Sequence, residues 1–194
     1  MRVLLIRHAQ VAIQDRIGLR GGLPLTSEGE AQAQTLAHRL SRREISAIFA
    51  SPLKRTLQTA EILAAGRGIP VTPEPALIEV NPGEWDNRLL DELRADPVWT
   101  SFNRFRGGIR IPGGEMMLEV QCRAVSFLEK ISHTCRGATV AVVSHADVIR
   151  AAVCHYAGIA LDLSLHLEIS PASLSILEIE DRGARLIRLN DTGD

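Results

Sequence analysis

Residues 1–10 read MRVLLIRHAQ. Four apolar residues, Val3 to Ile6, run directly into Arg7-His8. A short apolar run of this kind reads as a buried strand. Its cation and imidazole then fall at the carboxyl end, where open α/β sheets carry their ligand sites. A second stretch has the same form: VAVVS at 140–144 ends in His145. A histidine directly after a buried strand tip is poor core filling. A neutral imidazole can attack an electrophile, so His8 is read as a nucleophile for phosphoryl transfer. A phosphoryl group brings about −1.5 to −2 charge and needs cations around it, and Arg7 is adjacent.

The chain has 194 residues, 45% of them apolar. That suits one globular domain over 1–194 with a substantial core. The net charge of −1 gives no general sign of a nucleic-acid or membrane partner. Charge is unevenly placed, however. Residues 1–60 hold nine Lys/Arg against four Asp/Glu, and residues 61–100 hold three against eight. A basic opening third suits an anionic ligand. The three cysteines, Cys122, Cys135 and Cys154, lack C-x-x-C spacing, so no disulfide framework or zinc site is expected, and all three are read as packed thiols. No cationic-apolar leader and no run of 18 apolar residues is present, which points to the cytoplasm.

Strand one is residues 2–6. PLTSEGE then opens a helix running to about Arg42, with Ser27 and Glu30 at capping-box spacing and Thr26 the rival cap. ISAIFASP at 45–52 reads as a strand ending in Ser51-Pro52, followed by a helix with apolar Leu57, Ala60, Ile62 and Leu63. The prolines of 66–75 allow only an edge segment, and 76–85 reads as a short extended piece. Residues 86–112 are the least regular part; with Trp99, Phe102 and Phe105, and Trp85 just before, they read as a lid-like insertion. A long helix follows, with Leu118, Cys122, Val125, Leu128 and Ile131 on one face. After the His145 strand and a helix to Tyr156, SLSILEIE and ARLIRLN, joined by DRG, make an antiparallel hairpin. Strands alternating with helices imply an α/β fold in three layers, a mixed, mostly parallel central sheet with helices on both faces.

Two further residues carry chemistry. Arg55 sits in the first turn of the helix after Ser51-Pro52, where the helix dipole favours an anion. Arginine's fork matches phosphate oxygens. Glu79, in LIEVNPGEW, stands at a break in an extended segment. A carboxyl group near a scissile ester serves as general acid to the leaving alkoxide. Glu84, Asp86 and Asp147 are its rivals. His38, His133, His155 and His166 have no motif around them and read as surface or satisfied histidines, and Arg150 reads as structural.

In chain order, LIRHAQ, PLTSEGEAQAQTLA, IFASPLKRTLQTAEIL, LIEVNPGEWD, IPGGE and VVSHADVIRAA make the chain resemble the histidine phosphatase superfamily, the phosphoglycerate mutase-like proteins, over essentially its whole length. The resemblance implies that His8 becomes phosphorylated, that Arg7, Arg55 and His145 form the phosphate pocket, and that Glu79 is the proton donor. It implies no metal and no organic cofactor. The implied reaction is hydrolysis of a phosphate monoester on a small phosphorylated metabolite, releasing inorganic phosphate; a mutase-type transfer and a non-catalytic phospholigand-binding protein are the alternatives. The chain departs from the family pattern at Ala9, where glycine is usual, at Val11, Gln14, Asp86-Asn87 and Ala146, and in a shortened loop before PLT. Ala9 is tolerable only if its φ is negative. Gln14 is carried as a substrate contact in place of an asparagine. Arg16 and Arg20 are cations near the site, and Arg20 is carried as a second added contact. No nucleic acid and no membrane are expected as partners, and oligomeric state is not legible.

Overall fold

The computed structural model describes residues 1–12, 15–18 and 22–193. In chain order the elements are β1 (Arg2–Arg7), α1 (Ser27–Arg39), β2 (Ala47–Ala50), α2 (Lys54–Ala64), β3 (Val71–Pro73), α3 (Leu90–Arg94), α4 (Pro97–Arg104), α5 (Met117–Thr134), β4 (Thr139–Ser144), α6 (Ala146–Ala157), β5 (Leu174–Glu180) and β6 (Gly183–Asp191). The six strands form one sheet in the order β3-β2-β4-β1-β5-β6. The first four of that order run parallel, while β5 and β6 are antiparallel to their neighbours. This is the mixed, mostly parallel sheet the alternating pattern predicts, with the terminal hairpin closing one edge.

The alternation of side chains along a strand divides β1 between two cores. Val3 and Leu5 face α5 and α6, packing with Phe127, Leu128, Ile131, Ile149 and Val153. Leu4 and Ile6 face α1 and α2, packing with Leu36, Leu40, Ala60 and Leu63. Because both faces are covered, β1 reads as a continuous apolar run rather than an alternating one. Among the described residues, no helix is long and apolar enough to cross a membrane.

A third cluster lies beside the sheet. Trp85, Leu93, Phe102 and Ile111 pack against Met117, Val120 and Ala124 of α5 and Val148 and Ala151 of α6. Trp85 meets Trp99 and Phe102 edge to face, with ring centroids 5.1 and 5.4 Å apart. This apolar content orders 86–112, which holds α3 and α4 instead of irregular chain. Short 3₁₀ turns at Pro75–Leu77 and Gly83–Trp85 replace the extended piece expected over 76–85. Both turns are local to proline and glycine, which apolar periodicity does not register.

Three expectations change in detail. Thr26, not Ser27, caps α1, its hydroxyl accepting from the Gly29 N–H at 3.0 Å. The buried face of α5 is Met117, Val120, Ala124, Phe127, Leu128 and Ile131, while Leu118 and Cys122 are exposed. α5 packs on both the sheet core and the tryptophan cluster, so its apolar arc is centred about one residue away from the stripe read from the sequence. Of the cysteines, Cys154 is buried, Cys135 half-buried and Cys122 exposed.

One glycine is required by close approach. A Cβ at position 29 would sit 2.1 Å from the Gln10 carbonyl oxygen, where α1 meets the backbone just past β1. The Thr26 N–H also donates to that carbonyl at 3.1 Å. Gly29→Ala is therefore expected to lower the unfolding free energy by about 1–3 kcal/mol, the usual cost of overpacking, measured by urea denaturation. An unchanged midpoint would mean that α1 shifts freely away from β1.

Candidate active site

The parallel register of the sheet brings the chemistry-bearing residues together. β1 pairs with β4 so that Arg7 stands opposite Ser144, and the histidines that follow, His8 and His145, become neighbours. The His8 N–H donates to the Ser144 carbonyl at 2.9 Å, and the Ser51 N–H, just past β2, donates to Val143 at 2.9 Å. Ser51, His145 and His8 thus line up at the carboxyl ends of β2, β4 and β1. The two imidazoles meet edge to face, with centroids 5.2 Å apart.

His8 is buried and its tautomer is set by the backbone. Its Nδ1 lies 2.8 Å from the Ala9 carbonyl oxygen, which can only accept, so Nδ1 carries the proton. Nε2 is left with its lone pair and accepts from Arg55 Nε–H at 3.3 Å. Burial, with Arg55 and Arg7 as further cationic neighbours, pushes the imidazole down to about 3. The ring is therefore neutral and nucleophilic near neutral pH. Ala9 is absent from the residues with positive φ, so alanine meets the backbone requirement at this position. Its N–H donates to the Thr59 hydroxyl at 3.1 Å, and that hydroxyl donates to the Arg55 carbonyl at 2.7 Å. Thr59 therefore ties the nucleophile's loop to the turn that carries Arg55.

The cations surround this ring from separate elements. Arg7 donates from one terminal nitrogen to the Ile169 carbonyl at 2.6 Å, and its buried Nε has no hydrogen-bond partner among the described residues. Arg55 is buried in the first turn of α2. Burial pulls both guanidiniums below their ordinary proton affinity, while Glu79 opposes the shift in each; arginine stays charged regardless.

His145 is fully buried behind His8. Its Nε2 lies 2.8 Å from the Ser51 hydroxyl, and its Nδ1 has no hydrogen-bond partner among the described residues. Burial, then Arg55, the neighbouring His8 ring, Arg123 and Arg7, hold its proton affinity well below the usual value.

Glu79 comes from the chain after β3, anchored where the Ser144 hydroxyl donates to the Leu77 carbonyl at 2.8 Å. Its Oε1 accepts from the Val80 N–H at 2.9 Å, and its Oε2 stands 3.7 Å from His145 Nδ1. Burial and the like charge of Asp147 push its carboxyl up to about 7, against the pull of the Val80 N–H, Arg55 and Arg7. Asp147 itself is held by Arg106 at 2.7 Å and by Arg150 at 3.1 Å.

Beside His8 opens a cleft of about 360 Å³. Its described lining includes Arg7, His8, Arg55, Arg16, Gln10, Val11 and Leu23. Of the residues the sequence singles out, Arg7, His8, Arg16 and Arg55 line this cleft, while His145 backs His8 and Glu79 adjoins His145. Gln14 and Arg20 lie outside the described residues. His38, His133, His155 and His166 are all exposed, and Arg150 is tied to Asp147 and to the Leu167 carbonyl. Sequence reasoning missed Ser51 and Thr59; Ser51 stands at a strand tip before Pro52 much as His8 stands after its own, and that position was its one signal. Among the described residues, no three His, Cys, Asp or Glu side chains gather to hold a metal ion.

An α/β sheet with a buried neutral imidazole at a strand tip, ringed by guanidiniums above a small cleft, defines a protein built to hold a small anion. Residues 3–192 match the family model described as the histidine phosphatase superfamily (branch 1), and the chain belongs to that family. It is 32% identical to phosphoserine phosphatase 1 of Hydrogenobacter thermophilus, over 99% of this chain and 93% of that protein. It is 30% identical to a probable phosphoglycerate mutase GpmB of Yersinia pestis, over 93% and 86%. Among solved structures, Bacillus stearothermophilus YhfR superposes with a TM-score of 0.92 at 28% identity, covering 98% and 96% of the two chains. A putative α-ribazole-5'-P phosphatase from Escherichia coli gives 0.89 at 25%, covering 99% and 97%.

The His8 environment carries a measurable signature in stability. A histidine whose folded proton affinity is depressed binds fewer protons in the folded than in the unfolded state, so stability rises with pH from about 3 up to the unfolded value near 6.5. Replacing His8 by Asn is expected to flatten the rise in unfolding free energy between about pH 4 and pH 6 by up to about 1 kcal/mol per pH unit. Chemical denaturation at several pH values measures it, and an identical slope in both proteins would contradict the buried neutral ring.

Proposed function

We propose that the chain hydrolyses phosphate monoesters of small metabolites through a phosphohistidine at His8, in the cytoplasm and without metal or organic cofactor. One observation carries this reading: the His8 Nε2 lone pair points at Arg55, while buried nitrogens of Arg7 and His145 beside it have no hydrogen-bond partner among the described residues. A buried guanidinium N–H left unpaired costs stability, and a phosphoryl group brings several acceptor oxygens to the two arginines while its phosphorus meets the His8 lone pair. The relatives named as phosphatases support the same class of reaction.

The chemistry then follows from the atoms present. An arriving phosphoryl oxygen takes over the Arg55 Nε–H, which frees His8 Nε2. Nε2 attacks phosphorus in line, the N–P bond forms, and the ester P–O bond breaks. Arg7 and Arg55 spread their positive charge over the equatorial oxygens, and the neutral His145 imidazole adds a hydrogen bond. Glu79, protonated below about pH 7, gives its proton to the leaving alkoxide. Its carboxylate then takes a proton from water as the water oxygen attacks phosphorus. The N–P bond breaks and inorganic phosphate departs, leaving His8 neutral and Glu79 protonated again.

Three measurements test the scheme. A panel of phosphate monoesters assayed in chelator should be turned over by the wild type and not by His8→Ala, with an acid-labile phosphoryl group trapped on the wild type alone. Arg55→Ala should lower kcat by about 10²–10³, the loss found for one oxyanion-stabilising donor. The kcat/KM profile should be flat on its acid side down to the low His8 value and fall above about pH 7, where Glu79 loses its proton. Glu79→Gln should remove that basic limb along with most of the rate. Turnover by His8→Ala, or a basic limb that survives in Glu79→Gln, would overturn the assignment of the residue concerned.

A further inference from the structure

Arg16 is a cation to which the reaction proposed above gives no role. It lines the same cleft as Arg7, His8 and Arg55, but it comes from the loop beyond β1. That loop is stapled to the start of the 86–112 stretch. The Ile17 N–H donates to the Arg88 carbonyl at 3.0 Å, the Asn87 N–H to Ile17 at 2.8 Å, and the Leu90 N–H to Asp15 at 2.8 Å. Arg16 pairs across this short antiparallel ladder with Leu89, and its guanidinium spends one N–H on the Asn87 carbonyl at 2.6 Å.

An arginine anchored at both backbone and head has less freedom to lose on binding, and its fork keeps donors over for a carboxylate or phosphate. None of the ion pairs among the described residues includes Arg16. The Asp86 carboxylate is nearby, packed against Gly18, where a Cβ would sit 2.2 Å from its Oδ1. The described lining itself holds three arginines and no carboxylate, and its remaining side chains carry no fixed charge. Two arginines flank His8 for the phosphoryl group, which leaves the third for another anion. The volume, near the small end of ligand pockets, lets one small molecule touch both ends.

We propose that Arg16 is the specificity residue of this cleft, binding a second anionic group at the end of the substrate away from the phosphoryl group, so that small monoesters whose tail carries an anionic group are preferred over those whose tail lacks one. The proposal rests on the phosphatase reading above. The shared chemistry is an anion, and either a carboxylate or a second phosphate supplies it.

Paired substrates separate these sources and isolate Arg16. O-phosphoserine against O-phosphoethanolamine changes only the carboxylate; 1,3-propanediol bisphosphate against propyl phosphate changes only the second phosphate. The wild type should favour the member with the added carboxylate or phosphate in at least one pair by about tenfold or more in kcat/KM, the scale of one charge-assisted hydrogen bond. In Arg16→Met that ratio should collapse toward unity, chiefly through KM, and Arg16→Lys should restore part of it. A ratio within one preparation does not depend on how much of a variant is folded. A wild-type ratio near unity for both pairs, or a ratio unchanged in Arg16→Met, overturns the proposal while leaving the phosphatase reading intact. Activity on every substrate that survives His8→Ala overturns both.

Discussion

Parallel pairing of β1 with β4, with Arg7 opposite Ser144, is the constraint on which the candidate site depends. It makes the residues just past the two strands neighbours, and those residues are His8 and His145. A slip of one position would put a different side chain beside His8 and turn every apolar residue of β1 to the wrong core. The burial of Val3 and Leu5 on one face and Leu4 and Ile6 on the other forbids that slip. The same hydrophobic energy that holds the sheet together thus sets the spacing of the imidazoles.

Electrostatics then acts within a geometry already fixed. Desolvation is the largest influence on both His8 and Glu79, yet it works in opposite directions. It keeps the histidine neutral and it keeps the carboxyl protonated. A nucleophile and a proton donor, both in the state the proposed reaction needs, follow from one property of the place: little water. The cations do the remainder. They reinforce the neutral imidazole, and they oppose the protonated carboxyl without prevailing over burial.

Much of this was legible in the residues. β1, β2, β4 and the terminal hairpin announced themselves because buried strands are apolar runs and the hairpin alternates in sequence, its outer strand β6 in burial as well. Arg7, His8 and Arg55 were legible because a cation or imidazole at an element's end has few structural uses. Ser51 and Thr59 were not, since a hydroxyl gives no sign in sequence of which distant group it meets. Gly29 was hidden for a related reason: its need arises from the Gln10 carbonyl nineteen positions earlier. The helices of 86–112 were missed because α3 has five residues and α4 eight, too short for periodicity to register, and the tryptophan cluster stabilises them from outside. The face of α5 was misread because a helix serving two cores buries a wide arc, and several stripes then fit.

The choice among rival acids shows what geometry adds. From the sequence alone, Glu84, Asp86 and Asp147 compete with Glu79 as proton donor. Glu84 and Asp86 are exposed. Asp147 stands two residues past His145, but Arg106 holds its Oδ2 and Arg150 its Oδ1, so both oxygens are spent on guanidiniums. A carboxylate engaged by two guanidiniums is not free to reach a leaving group. It is an effective fixed charge, however, and its repulsion is the second cause holding the proton on Glu79. The two carboxylates therefore differ in place: Asp147 is paired with two arginines, while Glu79, half-buried and 3.7 Å from His145, is the one whose proton the proposed reaction uses.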